Sequence, residues 1–449
     1  MKRFWLVMLS LGLVLAFSAQ AFAVDVKFSG SFYAAGMYLD KVTLMDTGAG
    51  APNSNSTSTA FYYQRLRVQS DFIVSPGLKL VTRFDAMERI WGGNRSALTA
   101  ADVDSAGTRA ESENIAIDWA YINYASPIGT FDVGMMNDGE TGTIFGNSYN
   151  PAGRIKYAYT IGPATLKASY TKVLDNSYSY ASTTTATDAD KDKWAVEGVY
   201  AWKDGKAGMQ VTYYRYADKK LPTTHYLNTY YLFTPYAIAK IGPVALQAEF
   251  NYATGKAKEY DTNTTNTDIK LENIMGWIDA TADFGKFYFG GTLAYVSGDD
   301  PGTTDKAEGG TLNGGRDWNP TLIMFNQDRT YWVGPTATTS LSGYNSTYNA
   351  SPMTNAWFFQ CKIGGRPLAV LDIMASLAYA NADKKPTDTI LKNAYGWELD
   401  VTGTYKLTNN LSYMLGVGYL WTGDYYKGTS GDNSVNNNYL LINKLTLTF

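Results

Sequence analysis

Apolar and polar residues alternate one for one through segment after segment of this chain, in runs of roughly 10–14 residues. In 397–407, Trp397, Leu399, Val401, Tyr405 and Leu407 share one face, while Glu398, Asp400, Thr402, Thr404 and Lys406 share the other. The next run repeats the pattern with Leu411, Tyr413, Leu415, Val417, Tyr419 and Trp421. A period of two with a polar second face is the signature of strands that have one apolar side. Helical periodicity is nearly absent, so the chain must solve its packing with sheet.

The connections narrow the choice further. Short turns are read at 75–77, 126–130, 161–163, 203–206, 241–243, 283–286, 365–367 and 407–410. Long polar segments are read at 40–58, 90–113, 139–152, 175–191, 218–227, 256–268, 299–353, 381–394 and 423–437. The two kinds alternate strictly, which makes seventeen connections and predicts about eighteen strands, with sixteen as the alternative. Tight turns at one end and long loops at the other are the layout of an all-β transmembrane antiparallel barrel. A β-sandwich alternates too, but it does not explain the asymmetry of the connections. The long loops, 299–353 above all, are expected on the extracellular face, and turns such as 161–163 on the periplasmic face.

The two ends of the chain fit that layout. Lys2 and Arg3 precede an apolar run and an Ala21-Phe22-Ala23 site, which reads as a signal peptide over 1–23 and a single barrel domain over 24–449. The run is too short for a spanning helix. At the other end, Tyr439, Leu441, Leu445, Leu447 and Phe449 share a face, with Asn443 as the exception. Such a strand must pair with the first one, because an open edge is not tolerated in lipid.

Composition excludes several function classes. The formal charge of −3 becomes −5 once Lys2 and Arg3 are removed, and no basic stripe points to nucleic acid. A single cysteine, Cys361, rules out an intramolecular disulfide framework. His225 is the single histidine, so the chain has no Cys/His cluster for zinc, and His225 reads as a solvated loop residue rather than a catalytic one. The acids of 298–310 lack a recognisable calcium-ligand spacing. We therefore expect no enzyme, no metal and no cofactor.

Charges on the polar faces carry more information. Counting by two places Arg65, Arg67, Gln69 and Asp71 inside, with Leu66, Val68 and Phe72 outside. On the next strand Lys79, Arg83, Asp85 and Arg89 are expected inside, opposite Leu80 and Phe84, and further on Arg154 and Lys156.

The stretches RFDAMERIWGGN and NIAIDWAYINYASPIGTFDVGMMNDGETGTIFGN resemble porins of sulfate- and metal-reducing bacteria within the general porin superfamily. The likeness is specific over roughly residues 60–150; the superfamily's Pro-Glu-Phe-Gly-Gly loop motif is absent. The resemblance implies a third long loop that folds inward, with Asp138 and Glu140 facing Arg65, Arg67 and Arg83 across a pore constriction that also includes Arg154 and Lys156. It also implies a homotrimer in contact with outer-membrane lipid and lipopolysaccharide, passing ions and small hydrophilic solutes. The terminal Phe449 is similar to the C-terminal signal read by the barrel-assembly machinery. The rival expectations are a substrate-selective channel for a sugar or organic acid, an enzyme or adhesin displayed on a barrel, and a sheath for an electron-transfer partner.

Overall fold

Strand follows strand with almost no interruption in the computed structural model. It describes residues 24–41, 44, 58–92, 115–176, 189–220, 225–261, 266–310, 315–333, 352–385, 392–428 and 431–449. The expected signal peptide lies outside the described residues. In chain order the strands are β1 (Asp25–Leu39), β2 (Thr59–Ser75), β3 (Leu78–Ile90), β4 (Ile115–Ser126), β5 (Gly129–Asn137) and β6 (Pro151–Ile161). They continue with β7 (Ala164–Leu174), β8 (Lys191–Trp202), β9 (Gly205–Tyr216), β10 (Tyr226–Ile241), β11 (Val244–Tyr260), β12 (Ile269–Asp283) and β13 (Phe287–Val296). After a two-residue strand, β14 (Lys306–Ala307), come β15 (Ala356–Leu368), β16 (Leu371–Asn381), β17 (Ala394–Lys406), β18 (Leu411–Thr422) and β19 (Asn438–Thr448).

Each long strand pairs antiparallel with its neighbour, β13 with β15, and β1 closes on β19 from Ser31–Thr448 to Leu39–Leu440. Leaving aside β14, which pairs parallel with β12 at the loop end, this is a closed barrel of eighteen antiparallel strands. Seven of the eight short turns fall where the sequence places them. The eighth moves: Gly365, Arg366 and Pro367 belong to β15, and the turn is Ala369–Val370. The ladder to β16 slips between Gly365 and Leu368, so the Gly and Pro mark a bulge rather than a turn.

The face assignment is inverted relative to a soluble protein, as lipid requires. Leu415 and Val417 are 55% and 50% exposed, and Trp397 48%, all on the outer surface. Their alternates Glu398 and Asp400 are buried inside. Outward Asn443 is accommodated beside Tyr62 over Gly36, where a Cβ would lie 2.7 Å from its Nδ2 and 2.6 Å from the tyrosine ring.

One parity expectation fails. Met87 takes φ 56° in a bulge of β3, where the register with β2 jumps between Gln64/Arg89 and Leu66/Ala86. The extra residue flips the alternation beyond it. Arg89 therefore pairs with outward Gln64, and Glu88 takes the inward position beside Arg65.

The hydrophobic core lies inside the loop-end half of the cylinder. It joins inward residues such as Met37, Phe358, Tyr395 and Leu440 to Trp318, Ile323, Met324, Phe325 and Trp332 of the long segment between β14 and β15. The expectation that 299–353 stands wholly outside is thus corrected for 315–333, which descends into the lumen; 334–351 lies outside the described residues.

Candidate functional site

Two segments narrow the lumen, and each is anchored by wall carboxylates. The first is 315–333, which ends in the short helix α1 (Gln327–Val333). Glu398 accepts hydrogen bonds from Ile323 N at 2.6 Å and Met324 N at 2.7 Å, and Asp400 accepts one from Leu322 N at 3.3 Å. Gln360 Nε2 donates to Pro320 O at 2.6 Å. Backbone groups that leave water must find such partners. Room for the segment comes from the inward glycines of β18: a Cβ at Gly418 would lie 3.1 Å from Leu322 Cβ. Phe325 and Trp318 meet the Phe358 ring edge-on, with centroids at 5.8 and 5.3 Å. Each large side chain so buried contributes about 1.5–3 kcal/mol. Arg329 is enclosed in the same core, and burial draws its guanidinium down to about 10 against the influence of Tyr426 and Glu398. Asp328 reaches Lys444 at 3.3 Å and Tyr63 at 3.5 Å.

The second is the third long loop, 138–150, which folds inward as the resemblance implies. Its neck is closed by Asp138 N donating to Asn150 O at 2.8 Å. Thr143 donates to Glu249 of β11 through its backbone N at 2.6 Å and its Oγ1 at 2.8 Å. Phe145 is fully buried and stacks on Trp277 with centroids at 5.8 Å. The two inserts also bond to each other, since Arg316 N and Asp317 N donate to Asn147 O at 3.0 and 3.1 Å. Replacing Glu249 by Ala should deprive three buried donors, Thr143 N, Thr143 Oγ1 and Asn251 Nδ2, of their acceptor and loosen this loop. Chymotrypsin should then cleave within 138–150, after Phe145 or Tyr149, faster than in the unaltered protein, at unchanged barrel yield.

The expected constriction residues divide between two places. Arg67 makes a two-pronged contact with Asp85 at 2.6 and 2.5 Å, and stands 3.9 Å from Asp118. Arg83 lies between the rings of Trp119 at 3.6 Å and Tyr149 at 4.0 Å, with Asp118 at 3.6 Å. Arg65 faces Glu88 at 3.6 Å. These three stand on one wall, with Tyr149 of the third loop laid across Arg67 and Arg83. Asp138 is elsewhere: its carboxylate is buried against Lys193, Arg154 at 3.5 Å and Thr171 at 3.0 Å, so it anchors the loop and does not face the three arginines. Lys156 pairs with Asp132 at 3.1 Å. Glu140 is exposed and lines a small polar cavity of about 50 Å³ with Arg154, Lys156, Lys167, Glu197 and Gln210.

One member escaped the sequence reading. Asp317 keeps an exposed carboxylate within electrostatic reach of both Arg67 and Glu140. The enclosed lumen pushes its carboxyl above the ordinary range, Arg67 opposing and Glu140 adding to the rise. The available signal was the apolar run Leu322–Phe325 inside an otherwise polar loop, which asks for a place to bury.

The inserts cover the lumen unevenly. Segment 315–333 packs on β2, β12, β15, β17, β18 and β19; the third loop packs on β6–β9, β11 and β12, and through Tyr149 on β2–β4. On the inner wall of β2–β6, Arg65, Arg67 and Lys156 retain 26%, 20% and 26% exposure, while Tyr63, Arg83, Asp85, Glu88, Asp132 and Arg154 are buried.

No known protein-family profile and no curated protein matches the chain. Solved structures do share the fold. A BenF-like porin from Pseudomonas fluorescens Pf-5 aligns with TM-score 0.52 at 12% identity, over 94% of this chain and 99% of that one. Pseudomonas aeruginosa OccK2 (OpdF) gives 0.52 at 12% over 94% and 98%, and P. aeruginosa OccK11 (OpdR) gives 0.50 at 12% over 95% and 96%. At such identities the likeness speaks for the fold alone. Closed barrel and apolar belt together make the chain a multi-pass β-barrel of the bacterial outer membrane.

Proposed function

We propose that the protein is an outer-membrane porin, a passive water-filled channel for ions and small hydrophilic solutes. One observation carries this reading. Two inserts bury an apolar core in the loop-end half of the lumen, while Arg65, Arg67 and Lys156 on β2 and β6 stay partly wetted on the wall. A barrel meant only to hold loops or a partner has no need of partly hydrated charges beside a dry core. Solutes would pass off-axis, sieved by the gap between that wall and the inserts, in a field set by the charges lining it. Arg65, Arg67, Arg83, Lys156 and Glu140 would line the route, and Asp138 and Arg154 would hold the third loop beside it. No bond is made or broken in this mechanism. We extend the proposal to a homotrimer on the resemblance described above, to be checked by mass measurement of the detergent-extracted protein.

Purified, folded protein in a planar bilayer should give discrete, ohmic conductance steps. A folded barrel that gives no steps in repeated insertions would defeat the proposal. Steps that a single sugar or organic acid blocks saturably at low concentration would favour a substrate-selective channel instead.

A further inference from the structure

The wall arginines do not decide the sign of the field, because each stands against a wall carboxylate: Arg65 with Glu88, Arg67 with Asp85, and Arg83 with Asp118. Asp138 is matched by two cations, Arg154 and Lys193, which leaves one positive charge in surplus. That surplus faces the cavity lined by Glu140, whose carboxylate makes no ion pair among the described residues and offsets it. Asp317 then remains. Its backbone N and that of Arg316 both donate to Asn147 O and hold it in place, while its carboxylate stays exposed and makes no ion pair among the described residues. The charges that act on it are Arg67 and Glu140; the adjacent Arg316, also exposed and without an ion pair among the described residues, is not one of them.

We propose that Asp317, carried into the lumen by the segment 315–333 and facing Glu140 of the third loop, tips the narrowed passage to a negative potential. The channel then admits cations, small protonated amines included, in preference to anions and carboxylates. This inference rests on the channel reading above and goes beyond it by naming the class of solute and the residue that selects it. A narrow opening with low-dielectric walls focuses such an uncompensated charge. Screening over about 10 Å at 0.1 M salt means that the preference should be strong in dilute salt and fade near 1 M.

The test is the reversal potential in a KCl gradient centred near 0.1 M. The unaltered channel should pass K⁺ several-fold more readily than Cl⁻. Asp317→Asn, which keeps the shape of the side chain, should remove most of that preference. Asp317→Asn with Glu140→Gln should carry the reversal potential to the anion side, and Arg316→Gln should leave it nearly unchanged. An anion-preferring parent channel, or variants that conduct but share the parent's reversal potential, would overturn the inference while leaving the channel standing. Absence of conductance in the parent would overturn the channel reading itself, and the inference with it.

Discussion

Replacing residues 316–333 by a short Gly-Ser linker should raise single-channel conductance several-fold while the barrel still folds. The segment's five large apolar side chains and its helix occupy the loop-end half of the lumen, and no barrel strand depends on them for its ladder. A milder route reaches the same end. Glu398→Ala with Asp400→Ala removes the acceptors of Leu322 N, Ile323 N and Met324 N. Each buried donor left unpaired costs roughly 1–3 kcal/mol. The segment should then leave its seat for part of the time, giving frequent transitions to a larger conductance. Re-tethering separates this from a damaged barrel. In a Cys361→Ser background, Leu322→Cys with Gly418→Cys places the two Cβ atoms close to the spacing a disulfide needs. Oxidation should restore the small conductance to the double-alanine channel, and reductant should abolish it. Conductance unmoved by the linker replacement would mean that the segment does not limit flow.

What the sequence disclosed and what it withheld follow from the range of each signal. The pleat is local, so alternation such as Trp397–Glu398–Leu399–Asp400 reports which side of the wall each residue takes. Strand count, turn positions and closure all descend from it. Parity counting breaks at any inserted residue, which is why Met87 in its bulge exchanged the places of Glu88 and Arg89. The Gly-Arg-Pro at 365–367 misled for a related reason, since the same residues serve turns and bulges. Nothing local says what fills a lumen. Asp138 was legible as a third-loop acid, but its partners Arg154 and Lys193 lie on β6 and β8 and only the closed cylinder brings them to it. Glu398 and Asp400 looked like ordinary pore-lining acids, yet they are the seat of a segment some 75 residues earlier in the chain. Long-range pairing of this sort is fixed by topology.

Deleting Phe449 should cut the yield of folded barrel to less than about a tenth, with export to the periplasm unchanged. The residue ends the seam: Gly30 N donates to Phe449 O at 2.8 Å, and Phe449 N donates back to Gly30 O at 3.0 Å. Its ring lies against Gly30, where an added Cβ would come within 2.9 Å of Cζ. Two ladder bonds are worth only about 0.5–1.5 kcal/mol each, too little to empty the folded state of an eighteen-strand barrel. A large loss must therefore come from failed recognition by the assembly machinery, and the seam itself can be tested apart from it. Gly30→Val keeps the terminal phenylalanine but crowds both its ring and Arg67 O, which a Cβ would approach to 2.3 Å. That variant should be impaired even when refolded into detergent without any machinery, whereas the Phe449 deletion should refold there nearly as well as the parent. Lipid-facing charge supplies the third comparison. Leu445 pairs with Ala34 and Tyr413 well inside the belt, and Leu447 lies closer to the rim. Leu445→Arg should cost on the order of 2–4 kcal/mol and Leu447→Arg clearly less, because the penalty falls towards the interface. Heat-modifiable mobility of membrane-extracted and of refolded protein reads all four variants on one gel. A Phe449 deletion that assembles normally in cells would remove recognition from the account and leave the strand ladder alone to close the barrel.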